Sequence, residues 1–116
     1  MDESAAFIAA LADLEQALEA NIERARRMQA RIVELRDAHA AGLPLREFVP
    51  REEQPLIVRL LSESARELDA CGSVVRRMEA RALYEEGLTM DEIAELFGVS
   101  RQRVSALLRN ADPRPR

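Results

Sequence analysis

With 116 residues, 3% aromatics and no Trp, the chain has the length of one modest domain, or of a small domain with an extension. Its core must come from Leu, Ile, Val, Met and Ala, which favours packed helices over sheets. Charged residues make up 33% of the total, interleaved with apolar ones, and the formal net charge is −4; that pattern excludes bulk disorder and predicts amphipathic helices.

The first predicted element is a helix over about 4–40. Steps of four and three from Phe7 pass through Phe7, Leu11, Leu14, Leu18, Asn21, Ala25, Met28, Ile32, Leu35 and His39. Eight of these ten positions are apolar, a stripe of coiled-coil quality. Ser4 or Asp2 is placed to cap the start, and Gly42 with Pro44 to close the end. Ile8, Ile22 and Val33 widen the stripe beyond the needs of one partner helix. The expectation is therefore a homodimer, with Phe7, Leu11, Leu14, Leu18, Met28, Ile32 and Leu35 as the dimerisation residues. Asn21 interrupts the stripe, either as a polar residue that fixes register or as a plain surface residue. His39 is expected to be partly buried or to cap the helix end rather than to act as a ligand or catalyst.

The stretch "GLPLREFVPREEQP" holds three prolines and predicts an irregular connector that packs on the helices through Leu43, Leu45, Phe48 and Val49. Those residues suit core packing or the lining of a ligand pocket equally well. The period then resumes at Ile57, Leu61, Ser64, Leu68, Cys71, Val75, Met78 and Ala82. A second helix over 55–86 follows, with Pro55 at its first position and Gly87 at its end; Gly72 leaves open a break in the middle. A short connector between long amphipathic helices predicts an antiparallel hairpin. Cys71, the one cysteine, lies on the stripe as a small apolar residue. It allows neither an intrachain disulfide nor a cysteine-rich zinc site.

The last elements lie in "TMDEIAELFGVSRQRVSALLRN". Thr89 followed by Glu92 fits a capping box, and Ile93, Ala94, Leu96 and Phe97 form an apolar face. Gly98 suits a tight turn, Ser100 a second cap, and Val104, Leu107 and Leu108 the inner face of a final helix. At about 100° per residue the opposite face centres on Gln102, Ala106 and Arg109. Arg103, Ser105 and Asn110 flank it, and Arg101 lies near the helix start. Charge is concentrated here: residues 97–116 carry five Arg against Asp112, a local +4, which leaves −8 on the rest.

Taken together, these residues resemble a bacterial helix-turn-helix of the kind found in sigma-factor region 4 and in the C-terminal domains of resolvases and invertases. The resemblance covers about residues 73–110, with "VVRRMEARALYEEG" as a support helix. In that pattern a small residue stands where the helices cross, here Ala94. A glycine takes the turn, here Gly98, and buried side chains take the positions of Ile93, Phe97, Val99, Val104 and Leu107. The resemblance implies that the N-terminal part of the last helix enters the major groove of double-stranded DNA. Ser100, Arg101, Gln102, Arg103, Ser105, Ala106 and Arg109 then become the DNA-binding residues. Gln102 would pair with adenine, an Arg with guanine, and Ala106 with a thymine methyl. Arg76, Arg77 and Arg81 on the support helix are either phosphate contacts or solvated surface.

The expected architecture is all-α. A helical hairpin that dimerises occupies 1–72, a tri-helical helix-turn-helix without a wing occupies 73–110, and 111–116 form a disordered tail. The expected role is a sequence-specific transcriptional regulator that binds an inverted-repeat operator as a homodimer. The chain shows no Gly-rich phosphate loop, no Ser/His/Asp set and no metal-ligand cluster, so neither an enzyme nor a cofactor is expected. No apolar run approaches the ~18 residues of a membrane span, and the acidic start "MDESAAF" does not read as a signal peptide, so no membrane partner and a cytoplasmic, nucleoid-associated location are expected. Two alternatives remain: a small adaptor or antagonist that binds RNA polymerase or a sigma factor through the first helix, and a non-specific architectural DNA binder.

Overall fold

The computed structural model describes residues 2–109; Asn110 and the tail expected at 111–116 lie outside them. The chain is all-α. Helix α1 runs Glu3–Ala40, α2 is a single turn at Leu45–Phe48, α3 runs Ile57–Glu85, α4 Met90–Phe97 and α5 Arg101–Arg109. α1 and α3 form an antiparallel helical hairpin, and the small C-terminal helices follow it. Two compact units are distinguished: Met1–Gln16 with Asp69–Arg116, and Ala17–Leu68.

α1 starts where Asp2 Oδ1 accepts the Ala5 N–H at 2.7 Å, so Asp2 rather than Ser4 supplies the cap. Its end is tied by Leu43 N–H to the Ala38 carbonyl and Gly42 N–H to the His39 carbonyl, the paired bonds of a glycine-terminated helix. The connector is more regular than three prolines suggest. Pro44 stands at the cap of α2, outside the helix, and Pro50 opens a 3-10 turn over Val49–Arg51. In both places the missing N–H is needed by no helical carbonyl. α3 starts two residues after Pro55 and passes Gly72 unbroken.

The Ala17–Leu68 unit is organised around polar contacts. Arg31 of α1 and Glu52 of the connector have side chains only 4% and 3% exposed and are paired at 3.5 Å. Arg31 Nη1 also donates to the carbonyls of Glu53 and Pro55. Glu52 Oε1 accepts the Ile57 N–H at 2.6 Å, so one buried carboxylate both neutralises Arg31 and caps α3. Farther along the hairpin, Arg24 makes a two-pronged contact with Glu67 at 3.2 and 3.0 Å. This hydrogen bonding raises the Arg24 pKa and lowers that of Glu67. Asn21 Nδ2 donates to the Ser64 carbonyl at 3.4 Å, which ties the register of α1 against α3. Leu60, 1% exposed, is the largest fully buried side chain of this unit. Of the connector residues expected to pack, Phe48 is buried and Val49 half-buried, whereas Leu43 and Leu45 are 44% and 65% exposed and do not pack on the helices. With Leu35, Arg36, His39, Leu45 and Val49, Phe48 lines a cavity of about 350 Å³. His39 itself is exposed, in the last turn of α1.

Candidate nucleic-acid interface

The other unit holds a tri-helical core built by the end of α3 with α4 and α5. Ala80, Ile93 and Val104 are fully buried, Ala94 and Leu107 nearly so, and Leu83, Leu88, Met90, Phe97 and Leu108 pack against them. Each helix start is set locally. Thr89 Oγ1 accepts the Glu92 N–H at 3.1 Å while Glu92 Oε1 accepts the Thr89 N–H at 2.9 Å, a complete capping box. Those bonds to Thr89 hold the Glu92 carboxyl below its ordinary value of 4.5. Ser100 Oγ accepts the Arg103 N–H at 3.1 Å and caps α5.

Between the helices, Gly98 adopts φ 67° and ψ 35°, the left-handed conformation that only glycine takes without steric cost. Val99 N–H then reaches the Ala94 carbonyl at 3.0 Å and Gly98 N–H the Glu95 carbonyl at 3.3 Å. α4 is closed and the chain turns directly into the Ser100 cap. The small Ala94, 8% exposed, is where the turn returns its hydrogen bond.

With Val104 and Leu107 turned inward, α5 presents Arg101, Gln102, Arg103 and Arg109 to solvent, with Ser105 and Ala106 half-buried beside them. The helix carries three arginines and no acid. Arg101 lies 3.8 Å from Asp91, an exposed pairing across the turn, and Arg109 Nε donates to the Ser105 carbonyl at 3.4 Å. The periodicity reading missed Asp91, which sits ten positions before Arg101 and is brought to it by the turn alone.

Three sequence expectations fit less well. Leu96 is 66% and Val99 39% exposed. Together with Phe97, Arg76 and Arg103 they line a surface groove of about 310 Å³ rather than filling the core. Arg77 is not a surface phosphate contact: it is 5% exposed and its Nη2 donates to Ser73 Oγ at 3.3 Å. Both expectations for Arg77, phosphate contact and solvated surface, fail because one step along a helix turns a side chain by about 100°, enough to carry Arg77 inside while Arg76 stays exposed. Of the stripe on α1, Phe7, Leu14, Met28 and Leu35 are half-buried, whereas Leu11, Leu18 and Ile32 are exposed.

Residues 81–111 match the family Sigma-70, region 4, a non-catalytic DNA-binding helix-turn-helix family. The matched segment spans α4, the Gly98 turn and α5, and covers just over a quarter of the chain. No curated protein and no solved structure matches the chain. Among the described residues no helix is long and apolar enough to cross a membrane.

Proposed function

We propose that the chain is a sequence-specific transcriptional regulator that reads double-stranded DNA as a homodimer. Its domains in this reading are a dimerising hairpin over 1–72 and a DNA-reading unit over 73–110. The observation that carries the proposal is α5: an acid-free helix, three of its arginines and Gln102 exposed, seated on a buried aliphatic core within a segment similar to Sigma-70 region 4.

In this reading α5 enters the major groove. Gln102 pairs with adenine N6 and N7, and Arg101 or Arg103 with guanine O6 and N7. Ala106 and Ser105 let the helix approach closely, Ala106 meeting a thymine methyl. Arg109 and the backbone N–H groups at Ser100 hold phosphates. Pairing of two copies sets two such helices on an inverted repeat with half-sites about 10 bp apart, or a multiple of that.

The test is binding of a selected duplex library by fluorescence anisotropy at fixed salt. Wild type should discriminate its best site from random duplex by roughly 10³ or more. Gln102→Ala should lose about 1–3 kcal/mol and relax preference at one base pair. Equal binding of all duplexes by both proteins defeats sequence reading and leaves an architectural DNA binder. A second reading, an adaptor that docks on RNA polymerase or a sigma factor, is favoured by the exposed Leu11, Leu18 and Ile32 on α1. Regulation that survives the joint change Gln102→Ala and Arg109→Ala would select it.

A further inference from the structure

We propose that a second copy of the chain docks on one flank of the hairpin within the Ala17–Leu68 unit, through Leu18, Ile22 and Ile32 of α1 and Val58, Leu61 and Leu68 of α3. This inference rests on the homodimer reading above and gives it a surface. All six side chains are between 36% and 62% exposed.

Their placement follows one rule. Each is the residue immediately after one on the seam between α1 and α3. Leu18 follows the buried Ala17, Ile22 follows the bonded Asn21, and Ile32 follows the buried Arg31. On α3, Val58 follows Ile57, Leu61 follows the buried Leu60, and Leu68 follows Glu67, the partner of Arg24. One step turns a side chain by about 100°, so each helix carries a second apolar row beside its seam row. An antiparallel pair is related by a two-fold axis perpendicular to the plane of the two helices. That axis keeps front on front, so both second rows lie on the same flank. The outcome is an apolar face two helices wide and about 20 Å long at 1.5 Å per residue.

The hairpin has already used its seam, so nothing within this unit remains to cover that face. Monomers seldom leave such a contiguous patch in water beyond a few hundred Å². A second identical hairpin laid face to face completes a four-helix bundle. Two-fold pairing demands a face that complements itself, and the charges at its edge do so. Glu19 and Arg26 are exposed on the outer edge of α1, one on each side of Ile22. When two α1 helices cross antiparallel near Ile22, each copy's Glu19 meets the other's Arg26. Among the described residues Arg26 reaches Glu23 of its own helix at 3.9 Å, both side chains largely in solvent, a loose contact that can yield to that exchange.

Sedimentation equilibrium on the full chain tests the proposal. Wild type should weigh twice 13.1 kDa at micromolar concentration. Ile22→Glu and Leu61→Glu should each weaken the dimer by roughly 100-fold, the scale of a lost hot spot, with the helical circular dichroism unchanged because both sites are exposed. Leu45→Glu, 65% exposed and outside the face, should leave the dimer intact. If both glutamate variants keep the wild-type dissociation constant, this face is wrong and the dimer reading survives. If wild type is a monomer, the dimer reading falls with the face, and duplex binding by the same sample still tests DNA reading on its own.

Discussion

The two units keep their folds by different means. The unit containing α4 and α5 closes on aliphatic side chains, with Ile93 and Val104 wholly buried and its turns set by single residues in fixed conformations. The Ala17–Leu68 unit places an arginine and a glutamate in its interior and leaves Leu18, Ile22, Ile32 and Leu61 in solvent. The first is an aliphatic core that also takes in Arg77, leaves Leu96 and Val99 in solvent and carries a charged outer face. The second is a clamp whose apolar surface is unspent.

The largest break in that comparison should come from the clamp. Arg31→Ala removes the one cation that neutralises the buried Glu52 and leaves the Glu53 and Pro55 carbonyls without their donor. Orphaning a buried charge costs about 3–5 kcal/mol, so the urea midpoint of the hairpin should fall steeply. The joint change of Arg31→Met and Glu52→Gln should restore most of that loss, since no unpaired charge stays inside. If Arg31→Ala alone lowers the unfolding free energy by less than about 1 kcal/mol, a surface-like value, the clamp contributes nothing.

A smaller effect is expected at the turn of the other unit. A Cβ on Gly98 would meet no atom within 4 Å, so Gly98→Ala carries no clash and only the cost of φ 67°. That cost is about 1–2 kcal/mol for a residue with a side chain. Gly98→Asn should cost less, because asparagine tolerates the left-handed region through local hydrogen bonds. Equal loss for Ala and Asn in thermal unfolding would mean that the turn is limited by packing rather than by backbone conformation.

The difference between the units also explains what was legible in the sequence. The signals of the helix-turn-helix are local. Thr89 and Glu92 cap within four residues, Gly98 turns, Ser100 caps again, and each acts on its near neighbours alone. The hairpin was half legible. The step pattern through Phe7, Leu14, Asn21, Met28 and Leu35 does lie on the seam. The alternate seam positions, however, are Ala10, Ala17, Arg24 and Arg31 rather than the adjacent Leu11, Leu18 and Ile32. Small residues let two helices approach, and arginines enter because their partners arrive from the connector and α3. Hydrophobicity along one helix cannot show either effect, since both depend on what the other strand of the hairpin brings. Arg77 was misread for the same reason: its burial is set by the packing of its unit.

The smallest expected effect is a difference in acid sensitivity. Glu92 and Glu67 are both held below the ordinary glutamate value of 4.5, the first by its bonds to Thr89 and the second by its bonds to Arg24. A carboxylate whose folded pKa is depressed contributes stability that is fully present above the unfolded value. That contribution is lost as pH falls through the folded one. Both units should therefore weaken below about pH 4.5, and Glu92→Gln or Glu67→Gln should flatten that slope in its own unit. Salt should separate the two. Glu92 leans on a neutral backbone N–H and hydroxyl, so added salt should leave its slope nearly unchanged. Glu67 faces a guanidinium, with Glu63 also 3.7 Å from Arg24, and screening of such charges grows as the Debye length shrinks from about 10 Å at 0.1 M to about 3 Å at 1 M. Amide exchange measured segment by segment from about pH 3 to about pH 6, across the carboxylate pKa values, reads both units in one sample. A salt-sensitive slope around Glu92 with an insensitive one around Glu67 would reverse the assignment of which unit is held by charge.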